Sequence, residues 1–138
     1  MPWPPLPAKL VTQCAVAFHA TPNHRSQLQR PVADALRALG LDPREEVRTA
    51  QGYSLDAVVC VRGVQVAVEV DGPSHFVGRT QKLTGATALK RRQLHAFGWP
   101  LLAVPYWEWE RLRGRGEQLE YLQRQLHEAV RDMAPKDI

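Results

Sequence analysis

Glu69 and Asp71 stand one residue apart in the stretch VAVEVDGPSHF, Val66 to Phe76, and His75 follows four residues after the second acid. The residues leading into them have strand character, and on a strand two residues at i and i+2 project from the same face. Paired carboxylates on one face can hold a cation or move a proton. Gly72-Pro73 turns the chain immediately afterwards, which sets the pair at the mouth of a sheet rather than inside it. A second reading stands beside this one. Asp71-Gly72-Pro73-Ser74 is also good turn chemistry, in which Asp71 bonds backbone amides, and Glu69 is in range of an ion pair with Arg91 or Arg92.

Lys82, Lys90, Arg91 and Arg92 cluster after the acidic turn. Consecutive helical residues differ by about 100°, so Lys90, Arg91 and Arg92 cannot share one helix face. Basic groups around an acidic centre suit a phosphodiester: positive charge holds the backbone, and the acids hold a metal. Tyr106, Trp107 and Trp109 offer rings on which unpaired bases would stack, with the competing reading that a Trp in a small domain belongs to the core. Arg111, Arg113 and Arg115, interleaved with Leu112, Gly114 and Gly116, form a second basic strip in a Gly-rich loop. His19, His24, His95 and His127 have no ligand spacing.

The chain has 138 residues, enough for one modest core. Eighteen Lys and Arg against fourteen Asp and Glu give a formal charge of +4, compatible with a polyanionic partner. Two cysteines, Cys14 and Cys60, make neither a disulfide framework nor a Cys/His metal motif. No apolar run approaches the roughly 18 residues that span a bilayer, which argues against a membrane partner. Residues 1–22 are rich in proline and free of acids, as in a linker or a targeting remnant. Residues 23–134 read as a single domain.

The elements that must position these groups follow from periodicity. Leu28, Val32, Leu36 and Leu39 lie on one helix face, with Asn23 or Ser26 as cap, Pro31 as the start or a kink, and Gly40 with Asp42-Pro43 as the stop. Three strands are predicted over 44–50, 53–62 and 65–70, the last two joined through Gly63 as an antiparallel hairpin. A helix over 86–97 ends at Gly98. A buried strand follows over 99–104, its Pro100 arguing for a late start or an edge position. An amphipathic helix runs on from Glu117. The order is α-β-β-β-α-β-α, an α/β domain with a mixed sheet flanked by helices.

EVDGPSHF, the LKRR stretch within TQKLTGATALKRRQL, and VPYWEW within GWPLLAVPYWEWERL resemble the RAP domain over residues 66–126. That domain is a C-terminal module of organellar RNA-metabolism proteins, found in the Fas-activated serine/threonine kinase family and in algal octotricopeptide-repeat proteins. The resemblance implies RNA, above all single-stranded RNA, as partner. It also implies a mitochondrial or chloroplast location, a role in RNA processing or stability, and neighbours in an organellar ribonucleoprotein assembly.

RAP domains in turn resemble the PD-(D/E)xK nucleases, in particular the very-short-patch-repair branch, which implies a restriction-endonuclease-like fold. On that likeness Asp56 on one hairpin strand and Glu69 on the next converge. Asp56, Glu69 and Asp71 would then bind Mg2+ or Mn2+ in an active enzyme, with His75 assisting proton transfer. RNA would be held by Lys82, Lys90, Arg91, Arg92, Tyr106 and Trp107. The chain departs from the nuclease pattern at two places. Asp71 occupies the lysine position, and the first helix offers Gln27, Gln29 and Asp34 where a glutamate is usual. Three functions are therefore set against one another: an RNA-binding module with a degenerate nuclease-like site, a metal-dependent endoribonuclease, and a protein-interaction module.

Overall fold

The computed structural model describes residues 27–131; the proline-rich residues 1–22 and the candidate caps Asn23 and Ser26 lie outside them. Helix α1 spans Gln29–Ala38, β1 Arg44–Arg48, β2 Ser54–Val61 and β3 Val64–Asp71. A 3₁₀ turn at Pro73–His75 precedes α2, Gly85–Ala96; then come β4, Leu101–Pro105, the short α3, Tyr106–Trp109, and α4, Gly114–Arg131. The strands form one four-stranded mixed sheet in the order β1-β2-β3-β4, with β1/β2 and β2/β3 antiparallel and β3/β4 parallel. Helices cover both faces. Against the order read from periodicity, the structure adds α3 and starts the last helix at Gly114 rather than Glu117.

Pro31 falls in the first turn of α1, where its missing N–H has no intrahelical partner to lose, so the helix starts there without a kink. Gly40, at φ 85°, takes the left-handed position that ends the helix, and the Leu41 N–H reaches back to the Leu36 carbonyl. β4 begins after Pro100 and lies at the sheet edge.

α1 and α4 pack on one face of the sheet, over Ala57, Val59, Val66, Val68, Val70, Leu102 and Val104. Leu94 of α2 covers the other face with Val47, Leu55, Val58 and Ala67. Strand alternation reverses at one place. Glu45 faces α1, where its carboxylate meets Arg37, yet Val47 belongs to the α2 side. Likewise Leu55 and Ala57 fall in opposite clusters. Glu46, between them on β1 and facing Asp56 across the pair, adopts φ 58° and turns the strand over. The irregularity lies beside Asp56.

β2 and β3 are joined by Arg62 and Gly63, both with positive φ (52° and 79°), a two-residue turn of the type that matches strand twist. Asn is the usual occupant of the first position, and arginine there carries left-handed strain. Arg62→Asn is expected to stabilise the domain by about 0.5–1 kcal/mol, read as a higher urea midpoint at unchanged slope.

Candidate functional site

The acids sit where the β2–β3 ladder opens. Regular pairing runs from Val61↔Val64 to Ala57↔Val68. One step further, side chains replace carbonyls as acceptors. The Asp56 N–H donates to Glu69 Oε2 at 3.1 Å, and the Val70 N–H donates to Asp56 Oδ2 at 2.7 Å. Each carboxylate thus satisfies the backbone of the opposite strand. The carbonyl of Asp56 accepts from Gln29 Nε2 at 3.1 Å, and the same nitrogen lies 3.0 Å from Glu46 Oε1. Gln29, one of the residues standing where a nuclease usually carries a glutamate, is a buried amide closing the gap in the sheet. The signal was available, since Gln29, Val32 and Leu36 step by three and four along the buried side of α1.

Glu69 and Asp71 point to the α2 side of β3, as their spacing required, and both are almost fully buried. Lys90 Nζ pairs with Glu69 Oε1 and Arg91 with Asp71 Oδ2. The ion pair expected of Glu69 is therefore made by Lys90 rather than by Arg91 or Arg92. Asp71 Oδ1 also meets His75 Nδ1 at 2.7 Å, the 3₁₀ turn bringing the ring back onto the strand end. Lys90 and Arg91, consecutive on α2, serve two acids because both occupy the side of the helix facing β3, and Arg92 is turned out to solvent.

Burial, followed by the neighbouring charge of Glu69, pushes the Asp56 carboxyl up to about 7. The hydrogen bond to Asp71 raises the His75 imidazole above its ordinary value, against the opposing effect of burial. Two buried acids are matched one for one by two cations, and the third holds its proton toward neutral pH.

A divalent metal would need oxygen donors converging on one point. Among the described residues no group of three His, Cys, Asp or Glu side chains is placed to hold a metal ion. Lys90 and Arg91 stand against Glu69 and Asp71 where such a cation would lie. Asp56, Glu69 and Asp71 therefore do not fit Mg2+ or Mn2+ as arranged.

The RNA-binding candidates divide into two sets. Lys82 and Arg92 are exposed, as is Arg79 on the loop between the 3₁₀ turn and α2. Lys90 and Arg91 are committed to the acids. Tyr106 and Trp107 are half-buried, packed edge-on against the buried Phe76 at 5.8 and 6.4 Å between ring centroids. The Arg111 guanidinium lies 5.8 Å from the Trp107 ring centre. Trp109 is core and meets Tyr121 of α4 at 6.3 Å. Burial, with the nearby Glu108 carboxylate, raises the Tyr121 phenol. The basic strip expected in a loop at Arg111 to Gly116 is helical from Gly114 onward, so Arg115 projects from the first turn of α4. β3 and β4 run parallel, with Asp71 paired to Pro105, so the acid end, the His75 turn and α3 all gather at the carboxyl ends of these strands. That is where open α/β sheets bind ligands. Among the described residues no helix is long and apolar enough to cross a membrane.

Residues 68–125 match the RAP domain. The chain is 43% identical over 99 residues to a RAP domain-containing protein, chloroplastic, of Oryza sativa subsp. japonica, an alignment covering 72% of this chain and 15% of that protein. It is 39% identical over 62 residues to the human FAST kinase domain-containing protein 3, mitochondrial, covering 45% of this chain and 9% of that one. The rat protein of the same name is 42% identical over 62 residues, at 45% and 10% coverage. The chain thus spans 15% or less of the length of these relatives. The matched segment, residues 68–125, contains Glu69, Asp71, His75, Lys90 and Arg91, and through it the chain carries a RAP domain.

Proposed function

We propose that this domain is an RNA-holding module of organellar RNA metabolism, built on a nuclease-like scaffold whose acidic site has become structural. The observation that carries the reading is the internal neutralisation of the acids: Glu69 by Lys90, Asp71 by Arg91 and His75. A catalytic centre would need those carboxylates available to metal and water, and here they close the sheet and anchor α2. The sequence likeness to the RAP domain supports RNA as the ligand. The chloroplastic and mitochondrial relatives support an organellar setting.

In this reading RNA is held by the exposed basic residues Arg79, Lys82 and Arg92 together with the aromatic group of Phe76, Tyr106 and Trp107. Such a surface binds phosphate backbones with little sequence preference, and stacking on a half-buried ring favours single strands. Lys82→Ala and Arg92→Ala are each expected to weaken retention of single-stranded RNA. Each should reduce the slope of log K against log salt by about 0.7. Filter binding of a labelled oligoribonucleotide across a salt series measures both; an unchanged slope removes these residues from the interface.

A second reading, a divalent-metal-dependent endoribonuclease, draws on one observation. Asp56 and Glu69 are close and repel, which is the electrostatic setting of a site that gains from a cation. It requires Lys90 to leave Glu69, and metal-dependent cleavage that Asp56→Asn abolishes is its test.

A further inference from the structure

The end of the sheet opposite the acids carries a second concave surface. It is an open groove of about 520 Å3 between the end of α1, the β2–β3 turn and the second half of α4. Leu39, Leu41, Val61 and Leu126 form its floor, while the exposed Arg62 and Arg124 stand at its rim. No acidic residue lines it among the described residues. Asp56 and Val61 are five residues apart on β2, so about 16 Å of strand separates the groove from the acid cluster. The two faces are separate surfaces.

The chemistry of the groove selects its occupant. Its floor is aliphatic, and the one ring in its lining is the exposed His127 imidazole, a smaller stacking platform for a base than the Tyr106 and Trp107 rings at the other end of the sheet. Two guanidinium groups with no ion pair among the described residues, above an apolar floor, complement a ligand with an apolar body and carboxylates at its edge. The volume lies in the range of built binding pockets. Arg62 also holds a strained left-handed conformation that Asn would fill more easily, which places a costly residue at the rim.

We propose that this groove docks an acidic, amphipathic peptide segment of a partner protein. The segment's apolar side chains seat on Leu39, Leu41, Val61 and Leu126, and its carboxylates meet Arg62 and Arg124. Docking here leaves the basic rim around Lys82 and Arg92 open, so peptide and RNA bind together. The inference stands whether or not the acid cluster is catalytic.

The test is selection of random short peptides displayed on phage against the full chain, followed by fluorescence polarisation of the enriched sequences. The expected consensus pairs Leu, Ile or Phe with flanking Asp or Glu. Arg62→Asn with Arg124→Glu should weaken these peptides about tenfold or more and leave RNA retention intact. The first substitution suits the turn better than arginine, and the second lies on an exposed helical face, so neither endangers the fold. Failure to enrich any peptide, enrichment without acids, or equal binding to the double variant would overturn the proposal. Loss of RNA retention in the double variant would assign the groove to nucleic acid instead. Dimerisation of the wild type that the double variant abolishes would make the occupant a second copy. Either result overturns the peptide assignment.

Discussion

Arg91→Ala is expected to destabilise the domain by about 3–5 kcal/mol, the usual cost of leaving one partner of a buried ion pair uncompensated. Asp71 is only 1% exposed and Arg91 has 17% of its side chain accessible, so water cannot replace the guanidinium at the carboxylate. His75 remains at the other oxygen, and one imidazole contact falls short of the lost charge pair. Domains of this size have total stabilities of about 5–15 kcal/mol, so the variant is brought close to its unfolding limit at 37 °C. The double variant Arg91→Ala/Asp71→Asn removes the stranded charge as well and should recover part of the loss, with a coupling of roughly 1–3 kcal/mol. Urea denaturation of the four members of this cycle reads the result. Near-additive losses would show that the two residues do not act as a pair.

The second large effect is a stability that falls as pH rises. The folded-state Asp56 carboxyl titrates at about 7, whereas its ordinary value is 3.8. Between these two values the folded state binds more protons than the unfolded state, so the slope of unfolding free energy against pH is negative. Stability present below about pH 4 is lost progressively up to about pH 7. His75 acts in the same direction. Its raised pKa contributes stability that is complete below its unfolded value and is lost as pH climbs through the folded one. Asp56→Asn keeps an oxygen for the Val70 N–H and removes the titration. At pH 8 it is expected to be more stable than wild type by about 2 kcal/mol, allowing for the part of the shift that belongs to the Asp56–Glu69 pair jointly. The gain should shrink toward zero near pH 4. Thermal melts of both proteins from pH 4 to 8 measure it, and a gain independent of pH would contradict the assignment of Asp56.

Much of this architecture was legible because local signals and tertiary demands agree. The Gly63 turn, the strand character running up to Glu69 and Asp71, and Pro100 before β4 each marked an element at its place. The pairing of Glu69 and Asp71 on one face followed from strand geometry alone. What strand geometry could not give was the break at Glu46 and Asp56. A left-handed glutamate has no sequence signature, and its consequence is a side-chain ladder that only tertiary context selects. The same limit explains α3. PYWEW read as rings after a strand, either stacking platforms or core, and Pro105 decides between them by starting a helical turn that folds Tyr106 and Trp107 onto Phe76 and sends Trp109 into the core. Helical phase likewise decided which basic residues bond inward. It put Lys90 and Arg91 onto the acids and Arg92 into solvent, a choice that composition leaves open.

Whether the acids are structural or catalytic is settled by one assay. The full chain and its Asp56→Asn variant are incubated with labelled single-stranded RNA in Mn2+ or in EDTA, and retention and cleavage are followed together. Asp56→Asn is preferred to Glu69→Ala because the latter strands Lys90 against a buried gap and confounds folding with chemistry. RNA retained intact in both buffers by both proteins, and released when Lys82 and Arg92 are reversed to Glu, is the expected result. Cleavage that requires Mn2+ and disappears in Asp56→Asn would contradict it and make the acid cluster an active centre.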